Sequence, residues 1–232
     1  MTDFKYIYSS QAERYERLVS REDYQGNLKP ALAKIRPLAC LDVVELGAGT
    51  GRFTRLLAPD VARITAFDIS PHMLSVASGK LIRSILNNWQ LVAADNRQLP
   101  LKTQVADLAI AGWSLGHSVG WYPDTWREEI GRALAETARI LRPGGTIIIL
   151  ETLGTNRRSP HPPSPDLADY YAWLERVQGF QRNWIRTDYR FTSVQEAVAL
   201  TRFFFGDEMA QEVLANDNLI VPECTGIWWR AG

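Results

Sequence analysis

The chain has 232 residues, 46% of them hydrophobic and 22% charged, with a formal net charge of zero. That is enough chain for one sizeable globular domain, and the charge balance argues against a protein that tracks nucleic-acid phosphates. No apolar run reaches membrane-spanning length, and Met1-Thr2-Asp3-Phe4-Lys5 has no signal-type apolar stretch. Cys40 and Cys224 stand far apart, outside any metal spacing, as expected of two reduced thiols in a cytoplasmic protein without a bound metal.

Residues 1–28 are polar and aromatic, with Tyr6, Tyr8, Tyr15 and Tyr24. Ser10 and Glu13 have the spacing of a capping box that opens a helix carrying Tyr15, Leu18 and Val19. Leu32, Ile35 and Leu38 predict a helix over 30–39. Leu41, Val43 and Val44 predict a buried strand over 41–46. Three glycines break it, and helical spacing resumes at Phe53, Leu56 and Leu57 until Pro59. A second strand over 64–68 ends in Asp68. Ser70 and Pro71 then cap and open a helix over 71–86, with His72 on the surface of its first turn. Strands follow over 89–95 and 106–113. Asp124 reads as the N-cap of an amphipathic helix carrying Trp126, Ile130, Leu134, Thr137 and Leu141. Residues 141–145 stop it, and 146–150 form a wholly apolar fifth strand. Residues 154–166 read as a loop, 167–178 as a helix and 180–191 as a sixth strand. Ser193 caps another helix, a short one starts at Asp207, and 219–230 is the last strand. The result is seven strands, with helices between them, around one hydrophobic core.

The glycine stretch carries the chemistry. Glu45-Leu46-Gly47-Ala48-Gly49-Thr50-Gly51 joins a strand to a helix start, where unpaired N–H groups meet a ligand. The dinucleotide pattern fails, because Arg52 stands where its last small residue belongs. The P-loop fails too, because no Gly-Lys-Ser/Thr follows. What remains resembles motif I of the class I S-adenosylmethionine-dependent methyltransferases. Two further stretches support the resemblance: Leu99-Pro100-Leu101 before the fourth strand and Leu141-Arg142-Pro143-Gly144-Gly145 before the fifth. It covers residues 10–152; the tail matches only in element order.

The resemblance implies a doubly wound, mostly parallel Rossmann-like sheet of seven strands, helices on both faces and the last strand antiparallel. One domain is expected: a lid over 1–28, a cofactor-binding core over 29–152, and C-terminal helices with the last two strands over 153–232. S-adenosylmethionine is the expected cofactor. Glu45, Gly47, Ala48, Gly49 and Gly51 form its loop, and Asp68 with Ile69 meets the ribose edge. Asp95 with Asn96 meets the adenine, Tyr15 lies over the cofactor, and Trp113 borders it. His117 is the candidate general base, since its pKa lies near neutrality in a loop facing the methyl site; a purely structural histidine is the competing reading. Tyr122 is a weaker candidate. Trp113 and Trp121 suit a small organic acceptor, to be methylated on oxygen or nitrogen. The alternatives are a cofactor-binding protein that transfers nothing, an aminopropyl transferase, and a nucleic-acid or protein methyltransferase. The first shares every pocket residue. The second lacks its acidic pair at 112–115, and the third its Asn/Asp-Pro-Pro-Tyr/Phe tetrapeptide. Oligomeric state is not legible.

Overall fold

The computed structural model describes residues 4–216 and 218–232. Met1 to Asp3, the first residues of the expected lid, lie outside the described residues. In chain order the elements are α1 (Phe4–Ser10), α2 (Ala12–Val19), α3 (Leu28–Ile35), β1 (Asp42–Leu46), α4 (Arg52–Leu57), β2 (Arg63–Asp68), α5 (Pro71–Leu81), β3 (Trp89–Ala93) and β4 (Ala106–Gly112). Then come α6 (His117–Trp121), α7 (Trp126–Ile140), β5 (Leu141–Thr155), α8 (Pro165–Arg176), β6 (Gln181–Arg186) and β7 (Tyr189–Arg190). The chain closes with α9 (Val194–Phe205), α10 (Asp207–Ala215), β8 (Ile220–Val221) and β9 (Glu223–Ala231).

Seven strands form one sheet in the order β3-β2-β1-β4-β5-β9-β6. β1 is parallel to β2 and β4, β2 to β3, and β4 to β5; only β9 runs antiparallel, to both β5 and β6. The expected sheet is therefore the observed one. The order reverses between β1 and β4, where a doubly wound sheet opens a crevice beyond its carboxyl ends. Two apolar clusters cover the sheet: Phe53, Leu57, Ile64 and Ile110 in one, Phe67, Trp126, Ile130 and Ile149 in the other.

Several local expectations fail for identifiable reasons. Ser10 belongs to α1 and its hydroxyl donates to the Tyr6 carbonyl, so no capping box forms; Gln11 separates two helices. α3 starts early because the Asp23 carboxylate accepts from the N–H groups of Asn27 and Leu28, at 2.7 and 3.1 Å. α5 ends at Leu81, although Ser70 caps it as expected. β3 stops at Ala93, before Asp95. Thr125, not Asp124, is the N-cap residue of α7. β5 takes in both the 141–145 turn and the start of the 154–166 loop, because Leu141 pairs with Ala106 and Thr155 with Glu223. The expected sixth strand divides into β6 and β7, and β7 leaves the sheet to pair with β8. The last strand likewise divides into β8 and β9. Leu18, Tyr189, Leu200 and Val213 form an additional apolar cluster where one core was expected. His72 is no plain surface residue: its Nε2 accepts from the Ala12 N–H at 3.3 Å.

Candidate functional site

The site is built on the turn after β1. Gly47 has φ +71°, and a Cβ there would fall 2.0 Å from Ser114 Oγ, so only glycine lets the loop after β4 pass this close. Gly49 has φ +53°, and a Cβ there would sit in contact with Met73 Cε at 3.4 Å and Tyr15 Cε1 at 3.9 Å. The Ala48 N–H donates to the Phe67 carbonyl at 2.8 Å, tying the turn to β2. Asp68 completes the clamp. Its Oδ2 accepts from the Gly49 N–H at 2.7 Å and its Oδ1 from the Ser70 N–H at 2.8 Å. Burial raises its pKa and those two bonds work against the rise. Ile69 beside it is 66% exposed, an apolar side chain that nothing in the fold covers.

Glu45 does not face this space. It is 1% exposed, and its carboxyl accepts from the Thr54 hydroxyl and the first-turn N–H groups of α4. Burial pushes it up to about 8. It acts as the N-terminal brace of a helix whose own cap residue, Gly51, has no side chain. Asp95 is likewise engaged: Arg97 binds both its oxygens, and this hydrogen bonding lowers its pKa. Arg97 also pairs with Glu129 and lies over the Tyr122 ring at 5.5 Å, which sets Tyr122 in that ionic cluster. Asn96 donates to Ser114 Oγ at 3.3 Å and leaves its buried Oδ1 without a partner.

Trp113 follows β4 with φ +49°, a conformation rare outside glycine. Its ring is held between Phe53, stacked at 5.8 Å, and the Arg52 guanidinium at 4.5 Å. The Ser70 hydroxyl anchors α1 through the Tyr8 carbonyl at 2.8 Å, and Lys80 anchors α2 through Glu16 at 2.6 Å. Tyr8 Oη and His117 Nε2 share a hydrogen bond of 2.8 Å. The His117 ring also meets Phe4 and stacks on Trp121 at 5.1 Å. Loss of solvent in this aromatic nest holds its pKa down at about 4, so the ring is neutral at neutral pH.

Residues that sequence reasoning missed complete the space. Arg52, the residue after the last glycine of the turn, pairs with Glu22 at 2.7 Å. Glu151, just past the apolar run of β5, is buried and accepts from the Gly116 N–H at 2.8 Å; burial pushes it up to about 8. Glu223 opens β9, 1% exposed. An acid directly after an apolar strand was a signal available for Glu151. Nothing in the local sequence marks Glu22 or Glu223.

The sheet order, the glycine turn at its reversal point and the acid closing β2 define a doubly wound, Rossmann-like fold. Residues 44–149 match the family described as a methyltransferase domain. This matched segment and the similarity to curated methyltransferases support a class I S-adenosylmethionine-dependent methyltransferase, with S-adenosylmethionine as the cofactor. The chain is 32% identical over 110 residues to a demethylmenaquinone methyltransferase of Tropheryma whipplei, covering 47% of this chain but only 41% of that relative. It is 28% identical to the uncharacterized protein YafE of Escherichia coli, over 72% of this chain and 73% of that one. Its fold is similar to that of the YcgJ protein of Bacillus subtilis, with a TM-score of 0.59, 14% identity and coverage of 90% and 98% of the two chains.

Proposed function

We propose that this chain transfers the methyl group of S-adenosylmethionine to an oxygen or nitrogen of a small-molecule acceptor enclosed under α1 and α2. The observation that carries the reading is the Asp68 clamp, which holds a carboxylate against the glycine turn at the reversal point of the sheet. The residues fit the cofactor. Asp68 has lone pairs left for ribose hydroxyls, and the exposed Ile69 gives an adenine ring an apolar surface. The orphaned Asn96 Oδ1 awaits a donor.

When bound, the sulfonium supplies an activated methyl group and a charge that transfer disperses. The chain's own contribution is alignment and exclusion of water. Tyr15 closes over Gly49, and α1 covers the loop holding His117. Held at about 4, well below the near-neutral value its candidacy as a base assumed, and with Nε2 bonded to Tyr8, His117 is a weak base, which supports the purely structural reading of this histidine. Asp95, occupied by Arg97, contributes to adenine binding less than its position implies.

Titration calorimetry with S-adenosylmethionine, S-adenosylhomocysteine and NAD tests the reading, with Asp68→Ala alongside. Micromolar binding of the two sulfur ligands, lost in the variant, is the expected result. Binding of NAD instead, or of neither sulfur ligand, would overturn it.

A further inference from the structure

The helices expected to form the lid, α1 and α2, have seven and eight residues, too few to hold a helix alone in water. Their place is therefore set by what they touch. Side chains of α5 and of its cap meet them at three points, spaced four residues apart along the lid. Ser70 Oγ donates to the Tyr8 carbonyl at 2.8 Å, His72 Nε2 accepts from the Ala12 N–H at 3.3 Å, and Lys80 Nζ pairs with Glu16 Oε1 at 2.6 Å. Arg14 and Tyr15 also rest on Phe203 and Phe204 of α9.

Two of the three points grip the cofactor turn as well. The Ser70 N–H donates to Asp68 Oδ1 at 2.8 Å. Lys80 Nζ donates to the carbonyl of Thr50, inside the glycine turn, at 2.9 Å. A lysine near the end of a helix ordinarily keeps its ammonium in water. The Lys80 side chain is only 22% exposed and aims two of its three donors at two separate elements. From Ser70 to Lys80 the chain is a stiff helix of roughly 15 Å. One bridge thus stands under α1 and the other under α2. Tyr8 extends the first bridge, because its Oη shares a hydrogen bond with His117. Asp68, Ser70, Tyr8 and His117 form one linked run from the acid closing β2 to the loop after β4.

We propose that Ser70 and Lys80 are positioning residues that couple the cofactor turn to the lid, Ser70 through α1 and Lys80 through α2, so that cofactor binding and seating of the lid stabilise each other. The inference rests on the methyl-transfer reading for the identity of the ligand in the turn; the two bridges stand on their own bonds. Such coupling is reciprocal. A ligand that ties down Asp68 and Thr50 slows opening of the lid, and a loosened lid weakens that ligand by no more than the same factor.

Amide hydrogen exchange of the full chain, read by mass spectrometry without ligand and with saturating S-adenosylhomocysteine, tests the proposal. Lys80→Met removes both bonds of one bridge and keeps the stem. Without ligand it should speed exchange over 12–19 by about fivefold or more and leave 4–10 within about twofold. Ser70→Ala should do the reverse, and Ser70→Thr, which keeps the hydroxyl, should restore the wild-type rates. Ser70→Ala also loses the bond that caps α5 at the Met73 N–H, but loss of that cap alone would speed exchange in α5 and not in α1. With S-adenosylhomocysteine bound, exchange should slow over all of 4–19 in the wild type, over 4–10 alone in Lys80→Met, and over 12–19 alone in Ser70→Ala. Glu16→Gln cuts only the lid end of the Lys80 bridge, yet should weaken S-adenosylhomocysteine about threefold in calorimetry. Unchanged exchange in the helix each variant unties, equal loosening of both helices, or ligand protection that survives both variants would each overturn the proposal. So would bound S-adenosylhomocysteine that leaves 4–19 unprotected in the wild type. Failure of S-adenosylhomocysteine to bind the wild type indicts the methyl-transfer reading, and the ligand-free rates then decide the two bridges alone.

Discussion

The two halves of the crevice are made differently. Over β2, β1 and β4, the ligand space is shaped by backbone: positive-φ glycines, N–H groups and one carboxylate that clamps them. Over β5, β9 and β6 the enclosed polar groups are side chains brought from four distant places in the chain: Glu22, Arg52, Thr187 and Glu223. A backbone-built site has few ways to change and suits an invariant ligand. A site built from side chains can be retuned one residue at a time.

The sharpest way to break this contrast is Gly47→Ala. The new methyl meets Ser114 Oγ at 2.0 Å in a left-handed backbone, so a loss on the order of 3 kcal/mol and no detectable S-adenosylhomocysteine binding are expected. Denaturant unfolding and calorimetry measure the two. Glu45 comes next. Glu45→Ala strands the Thr54 hydroxyl and the N–H groups at the start of α4, at a cost of roughly 2–3 kcal/mol. Glu45→Gln, close in shape to the protonated acid, should cost less than about 1 kcal/mol. Equal losses would show that the carboxylate is needed as a charge.

A pH series separates the halves further. Glu45, Glu151 and Glu223 are each held up at about 8, so the native state binds more protons than the unfolded chain below that value. Stability therefore falls as pH rises through 8, and Glu151→Gln with Glu223→Gln should flatten that decline in Tm. His117 acts in the opposite sense. Held at about 4, it resists a proton that the unfolded chain accepts below its ordinary 6.5, so its share of stability is lost as pH falls through that interval. His117→Phe should remove this acid-side slope. The smallest effects belong to the latch and the rim. Tyr8→Phe removes one hydrogen bond to His117, worth about 1 kcal/mol. Asp95→Asn breaks a partly exposed ion pair and should cost about 0.5 kcal/mol of stability. A tenfold loss of cofactor affinity in Asp95→Asn would return Asp95 to the adenine.

The same contrast explains what the sequence makes legible. Strands β1 to β5, the reversal point and the glycine turn follow from short apolar runs and local turn chemistry, which act within a few residues. Glu45 and Asp95 sit at their expected places in the chain, yet their partners, Thr54 and Arg97, redirect both. No local pattern encodes those choices. The half over β5, β9 and β6 is less legible still. Glu22 meets Arg52 and Thr187 only through contacts distant in sequence, and β7 leaves the sheet because β8, far along the chain, pairs with it.

β5 runs 15 residues, hydrogen-bonds β4 along one edge and β9 along the other, and carries Glu151 and Thr152 past the point where the apolar run ends. The two halves thus share a strand and have no seam between them. A change that shifts β9 or β6 is therefore carried through β5 into the strand that borders the glycine turn, and neither half of the sheet can be exchanged without rebuilding β5.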